Sequence, residues 1–230
     1  MEEKATNIVS FIITDDQSHS LYSERFKATY HSTRGAVSEC KHVFIQNGLQ
    51  HVKEQFNLSE ISILEIGFGT GLNAFETYLF AKEQNLKINY HTIEGYPILM
   101  EDVLKLNYIN EFSEYDRNVF YQLHELEWNK VNELTDFFSF NKQKVLLEEF
   151  VSSKKFNLIY FDAFSPSEQP ELWTEVVFKK MFDLLKNNGT LVTYCAQGQM
   201  KRNMKNVGFK VQSLPGALGK REMTRGIKTV

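Results

Sequence analysis

Three groups of residues in this 230-residue chain have the types and spacing to act on a bound ligand. Residues 65–71 read EIGFGTG, between an apolar run and a helical pattern. Glu94 ends a second apolar run, and Asp162 follows a third, residues 156–161. Glycines let a backbone turn sharply and approach a ligand closely. In a doubly wound sheet the ligand binds beyond the carboxyl ends of the strands, so we expect the three groups to meet at one edge.

The glycine spacing distinguishes two kinds of nucleotide-binding loop. A dinucleotide fingerprint, G-x-G-x-x-G, would need its third glycine at Leu72, whereas this chain has it at Gly71. The spacing is similar to the S-adenosylmethionine loop of class I methyltransferases. Glu94 suits either cofactor, because a carboxylate there can accept hydrogen bonds from both ribose hydroxyls.

Hydrophobic periodicity predicts the elements that position these residues. Residues 8–22 have the pattern of a hairpin and residues 37–56 that of a helix. The predicted strands that follow are 63–66, 88–94, 156–161, 190–195, 210–214 and 222–227, and the predicted helices are 72–83, 97–108, 171–186 and 198–207. This alternation predicts an α/β fold with a Rossmann-like doubly wound sheet, mostly parallel, with a C-terminal antiparallel hairpin. Because the glycine loop is similar to that of class I S-adenosylmethionine-dependent methyltransferases, we expect a fold of that type. We expect residues 1–60 to form a small hairpin and helix extension packed on a methyltransferase domain, residues 61–230, and residues 110–150 are hard to assign.

Composition excludes several classes of protein. Hydrophobic residues make up 42% and charged residues 24%, which is typical of a globular chain. Two cysteines, Cys40 and Cys195, form neither a disulfide framework nor a zinc site. The N-terminus lacks the apolar run of a signal peptide, and no stretch is long enough to span a membrane. We expect a cytoplasmic protein without a metal ion or a membrane partner.

Positive charge is concentrated near the C-terminus. Residues 201–230 contain eight Lys or Arg residues and one acid, Glu222, although the whole chain carries a net charge of -3. Such a segment suits a polyanionic partner, and it is equally compatible with an ordinary solvated surface.

The chemistry of Asp162 can be argued from its position. A nitrogen nucleophile that attacks a methyl group depends chiefly on positioning. A primary alkylamine has a pKa of about 10 and must first lose a proton, for which an Asp of pKa about 4 is a weak base. We therefore expect Asp162 to orient the neutral amine by accepting a hydrogen bond. Phe164 and Pro166 suit packing against a base, or packing alone.

Nearly the whole chain resembles one family, the tRNA 5-methylaminomethyl-2-thiouridine methyltransferases. The most specific motifs are residues 161–166 (FDAFSP), 170–174 (PELWT) and 219–226 (GKREMTRG), with wider similarity at 30–32, 36–39, 42–45, 64–73, 93–97 and 208–209. The resemblance implies transfer of a methyl group from S-adenosylmethionine to the amine of 5-aminomethyl-2-thiouridine at the tRNA wobble position, with Asp162 as the catalytic acidic residue. It implies the tRNA anticodon loop as partner, and the sequence indicates no obligate protein partner.

The predicted site follows from these motifs. The cofactor residues are Glu65, Gly67, Gly69, Thr70, Gly71, Asn73, Glu94 and Glu149. Glu148 is an alternative to Glu149, because relatives usually carry an Asp near the adenine and this chain has two glutamates there. The substrate residues are Tyr30, His31, Glu39, Phe164, Pro166, Lys220, Arg221 and Arg225. Bifunctional relatives add a flavin-dependent oxidase half, and because this chain stops at Val230 we expect no flavin.

Two other functions remain open. A methyltransferase for a small-molecule amine would use the same loop and Asp162, but would not need the basic C-terminal segment. An inactive methyltransferase fold that binds RNA or protein is the second alternative. The joint presence of Glu65, the three loop glycines, Glu94 and Asp162 argues against the inactive alternative.

Overall fold

The chain begins with a small antiparallel sheet, seen in a computed structural model that describes residues 8–229. Its strands are β1 (Val9–Ile13), β2 (His19–Ser23) and β3 (Ala28–Thr29). The β1–β2 pairing confirms the predicted hairpin. A continuous helical segment follows, as predicted: α1 (Ala36–Cys40), a π-helical stretch (Lys41–Gln50) and α2 (His51–Phe56).

An eight-stranded sheet forms the centre of the molecule. Its strands are β4 (Glu60–Ile66), β5 (Lys87–Glu94), β6 (Lys130–Thr135), β7 (Phe138–Lys144), β8 (Phe156–Phe161), β9 (Leu185–Thr193), β10 (Phe209–Pro215) and β11 (Glu222–Lys228). They are arranged in the order β10-β11-β9-β8-β4-β5-β7-β6. The five central strands are parallel, and β10, β11 and β6 pair antiparallel at the two edges. This confirms the predicted mostly parallel sheet with a C-terminal hairpin.

Helices connect the strands and cover the sheet. They are α3 (Leu72–Gln84), α4 (Met100–Val103), α5 (Glu114–Glu125), α6 (Glu175–Leu184) and α7 (Gly198–Asn206), with a 3-10 turn at Pro170–Trp173. Adjacent residues of β4 belong to opposite hydrophobic clusters, Ile63 to one and Leu64 to the other. β4 is therefore buried on both faces, which explains its nearly continuous apolar sequence.

The helix predicted at 97–108 is wrong in extent. Only α4 is helical there, and Leu99 before it is extended. Asn107 is held instead by the N-terminal hairpin: its Oδ1 accepts from the His19 amide at 2.7 Å, and its Nδ2 donates to the Gln17 carbonyl at 2.8 Å. These contacts link residues about 90 positions apart, so helical periodicity could not reveal them.

Two further boundaries differ from the sequence prediction. The helix predicted at 171–186 is divided: Thr174 caps α6, accepting from the Val177 amide at 3.4 Å, and α6 ends at Leu184. Leu185 already pairs with Phe156 in the sheet, so β9 begins five residues earlier than predicted. The segment 110–150, which the sequence left unassigned, contains α5 and the β6–β7 hairpin.

The strand order places the candidate site. From β4 the chain moves to β5 and β7 on one side, whereas β8 and β9 lie on the other. The order therefore reverses between β4 and β8, and such a switch point opens a crevice beyond the carboxyl ends of the strands. The glycine loop follows β4, and Asp162 follows β8.

Candidate active site

The glycine loop lies against the ends of the neighbouring strands. The φ angles of Gly67 and Gly69 are +90° and +51°, in the region that favours glycine. A Cβ atom on Gly67 would lie 2.7 Å from the carbonyl oxygen of Asp162, and one on Gly69 would lie 3.0 Å from the Tyr30 ring. The Gly67 amide donates to the Ile93 carbonyl at 3.0 Å. The loop therefore tolerates no side chain at these two positions and leaves its backbone open to a ligand.

Glu94 connects the loop to the end of β5. Its Oε2 accepts from the Gly69 amide at 3.0 Å, and its Oε1 accepts from the Tyr96 amide at 2.7 Å. Burial raises the pKa of Glu94, and these backbone donors oppose that rise. Each carboxylate oxygen has a further lone pair for a ligand hydroxyl.

Thr70 is held from two sides by histidines. His31 Nε2 lies 3.4 Å from the Thr70 hydroxyl, and His124 Nε2 lies 3.2 Å from the Thr70 carbonyl, to which it donates when that nitrogen is protonated. Burial lowers the pKa of His31 to about 4 and that of His124 to about 3, so both rings are neutral at pH 7. A Cβ atom on Gly71 would lie 2.6 Å from His124 Nε2.

Asp162 faces the same crevice from the end of β8. Its amide donates to the Ile66 carbonyl at 3.1 Å, and its Oδ2 accepts from Asn73 Nδ2 at 2.8 Å. Enclosure by the walls of the cavity raises the pKa of Asp162 to about 7, although the Asn73 hydrogen bond and the charge of Lys220 lower it. The carboxyl is therefore a better proton acceptor at neutral pH than its reference pKa indicates.

These groups surround a cavity of about 350 Å³. Nine of the predicted site residues line it: Tyr30, His31, Gly67, Gly69, Thr70, Asn73, Glu94, Asp162 and Phe164. The predicted cofactor residues Glu65, Gly71 and Glu149 are not among its lining residues, nor are the predicted substrate residues Glu39, Pro166, Lys220, Arg221 and Arg225.

Glu65 lies beneath the cavity instead of in its wall. It is 0% exposed, and neither carboxylate oxygen has a hydrogen-bond partner among the described residues. Burial raises its pKa well above the ordinary range.

The loop after β7 decides between the two adjacent glutamates. Glu148 lines the cavity together with Val145, Leu146 and Leu147, whereas Glu149 does not. Lys180 stabilises this arrangement, because its Nζ donates to the carbonyls of Leu147 and Glu148 at 2.6 and 3.2 Å. Of the two glutamates, Glu148 is therefore the one at the cavity.

Aromatic residues of the N-terminal extension cover one side of the cavity. Phe26 stacks on Phe164 with ring centroids 4.6 Å apart, and Tyr30 meets Phe164 edge-on at 5.1 Å. Arg25 lies over the Tyr96 ring, 3.9 Å from its centroid. Arg25 and Phe26 carried no sequence signal, because they follow a hairpin strand in a turn with no recognisable motif.

Glu39 and Lys220 form an ion pair beside this site. Glu39 is buried in α1, and its carboxylate accepts from Lys220 Nζ and, at 3.0 Å, from the Ser32 amide. Lys220 Nζ also lies 5.4 Å from the ring centroid of Tyr194, a residue that lines the 350 Å³ cavity. Lys220 is therefore paired with Glu39 within the fold, and its side chain is only partly exposed.

A second cavity, of about 520 Å³, lies on the other side of Tyr194. Three of the predicted substrate residues, Pro166, Lys220 and Arg221, line it, together with Ser165, Cys195, Ala196, Gln197 and Glu222. Arg225 lies elsewhere: its Nε donates to Gln212 at 2.8 Å, and its Nη1 donates to the Asn47 carbonyl at 3.3 Å. Arg225 is thus placed as a structural contact of β11.

No group of three or more His, Cys, Asp or Glu side chains within residues 8–229 is arranged to hold a metal ion. Across the same part of the chain, no helix combines the length and the apolar character needed to cross a membrane.

The fold is that of the class I S-adenosylmethionine-dependent methyltransferases. The structure is similar to that of MNMC2 from Aquifex aeolicus, with a TM-score of 0.74 and 24% identity, covering 97% of this chain and 72% of that one. It is also similar to spermidine synthase from Thermotoga maritima, with a TM-score of 0.61 and 13% identity over 98% of this chain and 70% of that one. At these identities the two likenesses establish the fold.

Sequence comparison identifies the nearer relatives. Residues 122–229 match the family Methyltransf_30, described as S-adenosyl-L-methionine-dependent methyltransferase. The tRNA 5-methylaminomethyl-2-thiouridine biosynthesis bifunctional protein MnmC of Cupriavidus metallidurans is 29% identical over 88% of this chain, and that of Leptospira interrogans is 30% identical over 89%. The chain spans about a third of these relatives' length, 32% and 33%. These matches support an S-adenosylmethionine-dependent methyltransferase, and the predicted resemblance to these tRNA-modifying proteins is confirmed.

Proposed function

We propose that this chain methylates the amine of 5-aminomethyl-2-thiouridine at the tRNA wobble position, using S-adenosylmethionine. The observation that carries the proposal is the position of Asp162 at the wall of the first cavity, of about 350 Å³, close to a second cavity lined by Pro166, Lys220 and Arg221. The names of the MnmC relatives supply the substrate, since they denote 5-methylaminomethyl-2-thiouridine biosynthesis in tRNA.

The residues around the first cavity fit S-adenosylmethionine. The open backbone of the glycine loop would receive it, Glu94 would bind its ribose hydroxyls, and Leu146, Leu147 and Glu148 would surround its adenine. When bound, this cofactor supplies an electrophilic methyl group on a sulfonium. Glu94, which accepts from the Gly69 amide, and His124, which contacts the Thr70 carbonyl, hold the loop backbone in place.

Asp162 would then bind the substrate amine. The amine lone pair forms the new N–C bond as the methyl–sulfur bond breaks, with the electron pair passing to sulfur, and the nitrogen must also lose one proton. A carboxyl of pKa about 7 can accept that proton near neutral pH, besides orienting the amine through a hydrogen bond. Most of the acceleration would still come from positioning.

The second cavity supports a nucleotide substrate. Tyr194 lines both cavities, and its hydroxyl donates to the Ala163 carbonyl at 2.9 Å, next to Asp162 in the chain. An unpaired anticodon base can be splayed out of its loop and stacked on aromatic side chains. Arg221 is exposed at this cavity and would meet a backbone phosphate.

We further propose that the transfer needs neither flavin nor metal and no obligate protein partner, and that it takes place in the cytoplasm, where its tRNA substrate resides. A chelator such as EDTA is therefore expected to leave the rate of the purified protein unchanged.

The proposal is tested by replacing Asp162. Asp162→Asn keeps the size of the side chain, so we expect unchanged S-adenosylmethionine affinity by calorimetry and methyl transfer to tRNA slowed at least ~100-fold. The matched control is Asp183→Asn, an exposed acid of α6. A strain lacking the protein should accumulate the aminomethyl nucleoside by mass spectrometry, and wild-type protein, but not Asp162→Asn, should remove it.

The small-molecule alternative predicts a different result. If free 5-aminomethyluridine or another small amine is methylated efficiently while tRNA is not, the tRNA proposal is wrong. A rate for Asp162→Asn within threefold of wild type would also contradict the assigned role of Asp162.

A further inference from the structure

Asn73 makes a direct contact with the carboxyl of Asp162. Its Nδ2 donates to Asp162 Oδ2 at 2.8 Å, joining the first turn of α3 to the end of β8 across 89 residues of sequence. Asn73 is 4% exposed, so this amide is fixed by its surroundings. The sequence resemblance assigned Asn73 to the cofactor, and the contact with Asp162 points to a different role.

The chemistry of an amide makes this contact selective for one form of Asp162. The NH₂ group of Asn is a donor, and an ionised carboxylate is an acceptor only. A hydrogen bond to the charged form of an acid favours that form. The Asn73 contact therefore favours the ionised carboxylate and occupies one of its two oxygens, Oδ2.

One acid, Glu65, lies next to Asn73. It is fully buried, and burial raises its pKa well above the ordinary range. Among the described residues, the groups that lower the pKa of Asp162 and so favour its ionised form are the Asn73 amide and Lys220.

The remaining titratable groups around Asp162 largely balance one another. From α1, Glu39 opposes its ionisation and Cys40 interacts with it electrostatically. Lys220, from the turn between β10 and β11, favours ionisation but is paired with Glu39. Tyr194, after β9, also interacts electrostatically with Asp162, and burial raises its pKa well above the ordinary range. A neutral donor at 2.8 Å is thus the contact that most directly stabilises the carboxylate.

We infer that Asn73 is a positioning residue for methyl transfer, one that fixes the orientation of the Asp162 carboxylate and favours its ionised form. This inference rests on the proposed function only in taking Asp162 as the group that meets the substrate amine. Asn73 lies two residues after the last loop glycine, so its side chain connects the glycine loop to Asp162.

The test is the titration of Asp162 with and without the amide. Asn73→Leu has nearly the same size and no donor, so the carbon-13 NMR titration of the Asp162 carboxyl, assigned with Asp162→Asn, should move upward by about one to two pH units. The pH midpoint of methyl transfer should move by the same amount, and S-adenosylmethionine affinity should stay within about threefold. Asn73→Asp, which adds a second carboxyl beside Asp162, should move both midpoints upward too.

A buried asparagine away from the site provides the matched control. Asn141→Leu removes a buried amide of β7 whose Nδ2 lies 3.4 Å from His91. It should lower the thermal midpoint of unfolding without moving either titration. Asn73→Asp serves the same test if Asn73→Leu does not fold.

Two results would overturn the inference. Loss of S-adenosylmethionine affinity with an unchanged Asp162 titration would make Asn73 a cofactor residue, and unchanged values of both would make it a packing residue. The NMR titration uses no substrate, so a wild-type protein that fails to methylate tRNA would refute the proposed function while leaving the result on Asn73 readable.

Discussion

At the scale of the residue, the environment of Asp162 determines what it can do. An isolated Asp is ionised and weakly basic at neutral pH, with a pKa of about 4. Enclosure raises the pKa of Asp162 to about 7, with the Asn73 hydrogen bond opposing the rise. A group that titrates near the working pH combines a useful fraction of the ionised form with useful basicity. The same burial that adapts the acid to its task also destabilises its charged form.

We expect the rate of methyl transfer to follow the ionisation of Asp162. The rate should rise with pH through a midpoint near 7 and then level off, because only the ionised carboxylate accepts the amine proton. Single-turnover rates between pH 5.5 and 9 measure this. The residual activity of Asp162→Asn should lack the step near 7, and an equal step in that variant would assign the ionisation to another group.

The same ionisation has a consequence for stability. The pKa of Asp162 is raised on folding from 3.8 to about 7, so the folded state holds a proton that the unfolded state has lost between these pH values. Its contribution to the free energy of unfolding therefore falls as pH rises from about 4 to 7 and stays constant above. In urea denaturation, the free energy of unfolding of Asp162→Asn relative to that of the wild type should increase as the pH is raised from 5 to 8.

At the scale of the element, the N-terminal hairpin forms part of the site. The turn after β2 stacks Phe26 on Phe164 and holds Arg25 over the Tyr96 ring, and all four residues line the 350 Å³ cavity. The hairpin is in turn held by Asn107 and by the packing of Leu21 in the main core. An extension that precedes the nucleotide-binding fold in sequence thus closes one side of its ligand crevice.

Removing the aromatic contact should weaken cofactor binding. An aromatic pair contributes about 0.5–1.5 kcal/mol beyond the area it buries, so Phe26→Ala should raise the Kd for S-adenosylmethionine roughly 2- to 12-fold in calorimetry. Phe11→Ala, which removes an exposed ring of β1 that contacts His19, is the control and should leave the Kd unchanged. Equal affinity in both variants would mean that the hairpin covers the cavity without contributing to binding.

At the scale of the whole molecule, several of the basic C-terminal residues make internal contacts. Lys220 pairs with Glu39, Lys201 pairs with Glu222 at 2.5 Å, and Arg225 contacts Gln212. Arg221, Lys205 and Lys210 are exposed. The charge count alone overstates the number of groups available to a polyanion, because ion pairs between distant segments depend on the fold.

Arg221 and Lys220 are therefore expected to behave differently. Arg221→Ala should weaken tRNA binding and lower the slope of log affinity against log salt by about 0.7 to 0.9, the value for one lost phosphate contact. Lys220→Ala should instead lower stability, because it leaves the buried Glu39 without its cation. Binding at several salt concentrations and thermal unfolding measure the two effects.

The control for these variants lies at the opposite edge of the sheet. Lys130→Ala, on β6, removes an exposed charge far from β10 and β11 in the strand order, and should change neither property. Identical salt slopes for Arg221→Ala and Lys130→Ala would exclude Arg221 from the tRNA contact.

The amino-acid sequence by itself determined most of the strands and the location of the site. Apolar runs, glycines and helical spacing act over a few residues, so they predicted the loop after β4, the strand at 156–161 and the acids Glu94 and Asp162. The β6–β7 hairpin escaped prediction because β6 is largely exposed and β7 buries the polar residues Asn141 and Lys142, which leaves a weak apolar pattern.

Tertiary structure decided the contacts between these local features. The Asn73–Asp162 hydrogen bond spans 89 residues and the Lys220–Glu39 pair spans 181, so no local pattern encodes either. The choice of Glu148 over Glu149 depends on how the chain turns after β7, and the pKa of Asp162 depends on enclosure by several elements. Burial and pairing are properties of the assembled fold. The sequence therefore predicted Asp162 as a site residue but could not predict its pKa.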